Sequence, residues 1–314
     1  MFSIRNATPD DYPVLAAIIN SVTPDNPISV DELRWHEETY PGAVRILAEL
    51  EGNPVGAATV GRITMFDPDF DAFWTSIGVL PDARRRGIGT ALYDAVSAVA
   101  RAAGKVALHT AVSEARPDSI AFLRHRGFTE YERHKVVALD LAGMAPPAVD
   151  PPAGISIVAL ADRPDLGEGI HAVALETFTD IPGGGEPVTA GTYAEFRARD
   201  VDRPSIPPGG FAVAVDDETG EVVGYSSLVL LPGSTTRAYT DMTAVRRRWR
   251  GRGIAFALKR ATIRWAVQAG LDRIETGNDP DNGAMRAVNA RLGYKPLPDD
   301  ITFRGPLAPA DSTR

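Results

Sequence analysis

Cysteine is absent from the 314 residues, and with it go disulfides, thiolate zinc sites and a cysteine nucleophile. Histidine is scarce. His36, His109, His125, His134 and His171 are all there is, and no two stand at the i, i+4 spacing that puts paired imidazoles on one helix face. No metal centre is expected. Nowhere do about 18 apolar residues run consecutively, and the start MFSIRNATPDDYPVLAAIIN lacks the basic flank and long apolar core of a leader. A cytoplasmic protein without a membrane partner is therefore expected. Positive charge is also in deficit, 33 Lys and Arg against 41 Asp and Glu, for a formal net charge of -8. Such a field repels a nucleic-acid backbone, so nucleic acid is not an expected partner.

What the chain does contain is a long internal repeat. VLPDARRRGIGTALYDAV from Val79 matches VRRRWRGRGIAFALKRAT from Val245, a shift of 245 − 79 = 166. The same shift places Arg84 on Arg250, Gly87 on Gly253, Leu92 on Leu258, Gly104 on Gly270, Thr110 on Thr276 and Gly127 on Gly293 without a gap. A constant offset through a turn, a helix, a strand and a second helix reads as duplication of a whole domain. Between the copies lies AGMAPPAVDPPAG, Ala142 to Gly154, whose four prolines preset an extended linker. The expected borders are 1–143, a linker over 144–153, and 154–314.

Each copy has the same mixed α/β order. FSIRNAT and GISIVAL open as strands, helices begin near Asp10 and Asp165, and two apolar runs around a glycine turn follow as a hairpin. FWTSIGV and AYTDMTAV are further strands. After an arginine-glycine turn, Ile88, Leu92, Val96 and Val99, or Ile254, Leu258, Thr262 and Trp265, recur with the helical period and stop at Gly104 or Gly270. A strand, a short helix and a last strand such as HKVVALDL are expected to complete each unit.

A tight glycine turn between a strand and a helix leaves backbone N–H groups converging on one spot, with the positive end of the helix dipole behind them. That is an anion site suited to pyrophosphate. A Walker loop would need Lys-Ser/Thr after its last glycine, where Ile88 and Ile254 stand. A dinucleotide fingerprint would need Gly or Ala five residues after the first glycine, where Gly87 leads to Leu92 and Gly251 to Phe256.

Arg84-x-x-Gly87-x-Gly89 and Arg250-x-x-Gly253-x-Ala255, each after a strand ending in Val, resemble the acyl-CoA signature of the GNAT superfamily of N-acyltransferases. NGAMRAVNARLGY, with Asn282 eleven residues before Gly293-Tyr294, is similar to that family's second motif. The first copy keeps Gly127-Phe128 and has Arg116 in place of the Asn. The resemblance covers nearly the whole chain as a tandem pair. It implies a splayed sheet with acetyl-CoA between the fourth and fifth strands. Val79, Arg84, Arg85, Arg86, Gly87, Ile88, Gly89 and Thr90 would hold the cofactor in one copy. Val245, Arg250, Gly251, Arg252, Gly253, Ile254, Ala255, Phe256 and Asn282 would hold it in the other. The reaction implied is direct attack of a small-molecule amine on the thioester, in a monomer or homodimer.

An alkyl amine with a pKa near ~10.4 must lose a proton before it attacks, at a cost of roughly 4.6 kcal/mol at neutral pH. The family's base projects from the fourth strand on the face of its terminal valine. Counting back by twos from Val245 gives Thr243, Asp241 and Tyr239; from Val79 it gives Ile77, Thr75 and Phe73. Asp241 is the expected base and the second copy the expected catalytic half, while the first is expected to bind acyl-CoA without turnover. Many family members place a Tyr four residues before the second motif's glycine as the acid for the departing thiolate. Here those positions hold Leu123 and Asn289, which leaves Asn289 as a hydrogen-bonding group and Tyr239 or water as proton source. A non-catalytic acyl-CoA-binding protein is the alternative. His109 and Glu275 align and are expected to face solvent or a helix. Asp180 and Glu186, in the loop expected to shape the acceptor site, would tolerate a cationic amine.

Overall fold

The computed structural model describes residues 1–181, 188–231 and 236–310. The first repeat runs β1 (Phe2–Asn6), α1 (Tyr12–Val22), α2 (Val30–Thr39), β2 (Val44–Leu50), β3 (Asn53–Arg62), β4 (Ala72–Val79), α3 (Ile88–Ala102), β5 (Ala107–Ser113), α4 (Pro117–Arg124) and β6 (Thr129–Asp140). The second runs β7 (Ile155–Ala159), α5 (Gly167–Thr177), α6 (Tyr193–Asp200), β8 (Phe211–Asp216), β9 (Val222–Leu230), β10 (Arg237–Val245), α7 (Ile254–Gln268), β11 (Arg273–Asn278), α8 (Gly283–Arg291), β12 (Lys295–Pro296) and β13 (Asp300–Pro306). Of the helical stripes, Ile88, Leu92 and Val96 are buried in α3 and Ile254, Leu258 and Thr262 in α7, whereas Val99 and Trp265 are only partly buried and the next residues, Ala100 and Ala266, take the buried places. Gly104 and Gly270, at φ +74° and +76°, carry the chain out of these helices in a conformation that only glycine adopts without strain. Residues 144–153 form neither helix nor strand, and no described helix is long and apolar enough to cross a membrane.

The chain divides into two compact units, Met1–Arg133 with the segment from Asp299, and His134–Pro298. In the first, strands follow the order β1-β2-β3-β4-β5-β13; in the second, β7-β8-β9-β10-β11-β6, with β12 also on β6. Helices cover both faces of each sheet. In the first unit α1 and α2 pack with Leu47 and Ala57 on one face, and α3 and α4 with Ile46, Ala58 and Val60 on the other. In the second, α5 and α6 pack with Phe211, Val213 and Tyr225, and α7 with Ala212, Ala214 and Val223.

This corrects the expectation that each repeat closes its own sheet and ends at its own border. The strand carrying HKVVALDL pairs from Lys135 to Asp140 with β11, and β13 pairs from Asp300 to Pro306 with β5. The physical reason is edge pairing. β5 and β11 each offer an open antiparallel edge, and an apolar strand that covers it buries residues beside the sheet: Ile301 and Phe303 from β13, Leu139 from β6.

β4 and β5 run parallel and pair only over Ala72 to Trp74; β10 and β11 pair only over Arg237 to Tyr239. Beyond those residues the two strands part in each unit, opening the sheet next to the strand end that leads into the glycine turn.

Because Phe303 is wholly buried in the first unit's core, Phe303→Ala should cost about 3–5 kcal/mol. Amide exchange should speed up in α3, β4 and β5. Faster exchange confined to β8–β10 would place β13 in the wrong sheet.

Candidate functional site

The two glycine turns are built alike. After β4 and β10 the chain makes one 3-10 turn, Pro81–Ala83 or Arg247–Trp249, and then swings through left-handed backbone at Arg85 and Gly87, φ +62° and +84°, or Gly251 and Gly253, φ +76° and +86°. The reversal aims the first amides of α3 and α7 outward. The N–H groups of Arg85 to Gly89 and of Gly251 to Phe256 donate to nothing among the described residues. A Cβ added at Gly251 or Gly253 would meet no atom within 4 Å. Each turn is therefore an open cradle of five or six converging donors at a helix N-terminus, which fits a pyrophosphate.

The arginines mostly build the turn rather than crown it. Arg84 Nε donates to the Val79 carbonyl and Arg250 Nε to the Val245 carbonyl, both at 3.0 Å, so this signature residue staples the turn to its strand end in both copies. In the second copy the neighbouring arginines are held by carboxylates. Arg247 and Arg250 both bond Asp180 at 2.6 Å, Arg246 pairs with Glu176 and Glu221, and Arg248 pairs with Glu221. Hydrogen bonds from Arg247 and Arg250 hold the Asp180 carboxyl at about 2, below the usual aspartate range. Asp180 thus serves the turn instead of facing an amine, and Glu186 lies outside the described residues. Arg252 donates to the Arg248 carbonyl and lies over Trp249. In the first copy Arg85 and Arg86 are exposed, with no carboxylate partner among the described residues.

Asp241 sits at a break in the sheet. Thr240 pairs with Leu228 and Met242 with Ser227, leaving Asp241 as the extra residue of a β-bulge. A bulge reverses the alternation, so the count by twos from Val245 fails beyond Thr243. Val245 packs toward α7, whereas Asp241 feels the charge of Asp200 on α6 and acts in turn on Tyr225, both on the opposite face. Asp241 is an exposed residue with protein crowded around it. Desolvation, then the Asp200 charge, push its pKa up, against the lowering influence of Arg203 and Arg199. Asp200 is raised by desolvation too, despite its 2.6 Å ion pair with Arg199. Tyr225 was not legible as a site residue. It is 1% exposed, its hydroxyl has no hydrogen-bond partner among the described residues, and burial raises its pKa well above the ordinary value. An orphaned hydroxyl of this kind costs about 1–3 kcal/mol.

The other expected residues take up varied places. Tyr239 lies half-buried in β10, its hydroxyl 2.7 Å from where a Cβ on Gly277 of β11 would stand. Asn289 is buried and donates to Asn278 at 2.6 Å, while its own oxygen has no partner among the described residues. Asn282 caps α8, its Oδ1 accepting from the Met285 N–H at 3.1 Å. Gly89 lies against Phe122, and Thr90 accepts a 2.7 Å bond from Arg126; the second copy has Ala255 and Phe256 at these positions, with Arg291 over the Phe256 ring. His109 is fully buried rather than facing solvent, tilted against the Tyr131 ring and edge-on to Phe70, and burial pushes it down to about 4. Its counterpart Glu275 pairs with Arg237 at 2.7 Å.

In the first copy the same frame is filled in. Thr75, where the second copy has Asp241, is buried in an unbroken register and donates to the Thr59 carbonyl at 2.9 Å. Val22 packs against Gly78 of β4, and the Arg116 guanidinium donates to the Val22 carbonyl and pairs with Asp25 at 3.1 Å.

The profile of the acetyltransferase (GNAT) family matches residues 3–128 and again 173–294. The two matches end at equivalent positions, since 294 − 128 = 166. The mycothiol acetyltransferase of Parafrankia sp. (strain EAN1pec) is 28% identical over 250 residues, 73% of this chain and 74% of its own. The solved tandem GNAT protein from the clavulanic acid biosynthesis pathway aligns with a TM-score of 0.77 at 24% identity, covering 99% of this chain and 100% of its own. A GCN5-related N-acetyltransferase from Sphaerobacter thermophilus aligns with a TM-score of 0.72 at 20% identity, covering 98% and 96%. At these identities the structural likeness speaks to the fold.

Lys259, on α7, is 1% exposed, with Nζ 5.3 Å from the Tyr294 ring centre, and desolvation lowers it to about 7. A lysine depressed in the fold gives up its proton there first, so stability climbs as pH rises from about 7 toward the ordinary value near ~10.4. Lys259→Met should stabilise by on the order of 1–3 kcal/mol at pH 6.5 and flatten that climb in urea titrations. A variant whose pH slope matches wild type would show that Lys259 keeps its charge in the fold.

Proposed function

Since the chain belongs to the acetyltransferase (GNAT) family, as a tandem pair with N-acetyltransferase activity, we propose that its second copy moves the acetyl group of acetyl-CoA to a primary amine of a small molecule. The observation that carries this reading is Asp241: a carboxylate without hydrogen bond or ion pair among the described residues, at the bulge where β10 leaves β11. A relative named for mycothiol supports a small acceptor.

The chain's own groups divide the work. The Gly251 to Phe256 amides hold the pyrophosphate, the opened strand β10 flanks the pantetheine arm, and the Asn282 side-chain N–H groups are available to that arm. The amine nitrogen attacks the thioester carbonyl carbon, a C–N bond forms as the C–S bond breaks, and Asp241 takes the proton that the nitrogen sheds. The thiolate collects a proton from water. Desolvation suits Asp241 to this task, because a carboxylate with a raised pKa is a stronger base. The first copy has the cradle but a threonine in place of the base, so it binds acetyl-CoA without turnover.

Asp241→Asn should lower kcat by about 10²-fold or more with coenzyme A affinity unchanged, read by thiol release and by calorimetry. In the wild type, kcat/KM should fall as pH drops through a value above the ordinary aspartate pKa of ~3.9, since protonation removes the base. An Asn variant with full turnover, or an acid limb at the ordinary value, would remove Asp241 from the mechanism.

A further inference from the structure

The openings of the two copies are tied differently. Asp25 stands three residues past the end of α1 and Asp180 three past the end of α5, and both helices run 11 residues. The two aspartates are therefore counterparts. In the second copy Asp180 bonds Arg247 and Arg250, both on the glycine turn at the end of β10, so that tie stays on one side of the opening. In the first copy Pro81 replaces Arg247, since 247 − 81 = 166, and Asp25 pairs instead with Arg116 at 3.1 Å. The same guanidinium donates to the Val22 carbonyl. Arg116 caps the start of α4, three residues after β5 ends, whereas Val22 packs against Gly78, one residue before β4 ends. By then β4 and β5 have parted, because their pairing stops at Trp74 and His109. The Arg116 bonds thus cross the mouth of the opening from the β5 side to the β4 side. Its counterpart Asn282 caps α8 through the Met285 N–H and makes no bond to α5 among the described residues.

An arm that runs from the glycine turn into the gap between β4 and β5 has to pass this crossing. Hydrogen bonds from a guanidinium are charge-assisted and stronger than neutral ones. Asp25 is exposed, so the bond to the Val22 carbonyl supplies most of the hold. We propose that Arg116 is a strap across the first copy's opening, closed in the free chain, which coenzyme A displaces to seat its pantetheine arm. The inference rests on the reading that the glycine turns hold the diphosphate of coenzyme A. While the strap is shut, the cradle is open to a diphosphate but the gap behind it is closed to the arm. The affinity of the first copy is then reduced by the fraction of molecules in which the strap is open. The second copy, whose aspartate is tied to its own turn, carries no such reduction. The strap therefore makes the first copy the weaker coenzyme A site, which fills after the second.

The test titrates the full chain with coenzyme A and follows amide exchange at Arg85 to Gly89 and at Gly251 to Phe256, which reads each copy separately. In wild type the first segment should be protected at a coenzyme A concentration about 10-fold or more above the second. Arg116→Asn installs the residue the second copy carries, itself a good helix cap. It should lower the first midpoint about 10-fold and leave the second unchanged. Asp25→Ala, a change at an exposed side chain with little bearing on folding, should move the first midpoint the same way by about 2-fold to 3-fold. The nucleotide 3′-phospho-ADP keeps the diphosphate and lacks the arm, so it should protect the first segment equally well in wild type and Arg116→Asn. Equal midpoints for the two segments in wild type would overturn the strap. So would a first midpoint that stays put in both variants, or one that rises in Arg116→Asn and so makes Arg116 a ligand of the coenzyme. An equal gain for the arm-free nucleotide would also overturn it, by placing the effect on the turn. No protection of either segment by coenzyme A, in wild type and variants alike, would strike the cradle reading itself and the strap with it.

Discussion

The parting of two parallel strands after three paired residues is the constraint on which the rest of this structure depends. Once β10 leaves β11 at Tyr239, a stretch of strand has backbone groups facing an opening instead of a neighbour. The same strand then ends in a turn whose glycines, in left-handed backbone, point the amides of Gly251 to Phe256 outward. An extended arm and a diphosphate can thus be held on one continuous path of main-chain donors. A side chain at the point of parting lies beside whatever the arm carries. The Arg250 Nε bond to the Val245 carbonyl fixes the angle between strand end and turn, and Arg84 repeats it in the first copy.

Duplication preserved this frame and divergence filled it differently. In the first copy the register of β3 and β4 is unbroken, Thr75 spends its hydroxyl on the neighbouring strand, and Val22 with Arg116 covers Gly78. In the second, a single extra residue breaks the register and brings a carboxylate to the opening, where it feels the charge of Asp200 on α6. Charge diverged as well. The arginines of the second turn are largely neutralised by Glu176, Asp180 and Glu221, so their number measures how firmly the turn is tied down, not how strongly it attracts anions. The open donors are the amides.

Much of this could be read from the residues, and the limits are physical. The repeat at a shift of 166, the helical stripes and the glycines that end them are local patterns, and local patterns survive folding. The destination of the last strands is not local: HKVVALDL and ITFRGP are both apolar, and two equivalent sheet edges compete for them, so pairing is settled by tertiary packing of Ile301, Phe303 and Leu139. The bulge at Asp241 escaped because strand periodicity carries no mark of an inserted residue, and one insertion exchanges the two faces. Tyr225 was hidden by looking like core, which its ring is; only the orphaned hydroxyl sets it apart. Lys259 did leave a signal, a cation within an apolar helical stripe beside Leu258, Thr262 and Ile263.

The central claim is that main-chain amides at the two glycine turns bind the diphosphate of coenzyme A. Site-resolved amide exchange with and without coenzyme A tests it most directly. The account predicts slowed exchange at Arg85 to Gly89 and at Gly251 to Phe256, the segments whose N–H groups are unmet in the free chain. Saturating coenzyme A that leaves the exchange of both segments unchanged would contradict it.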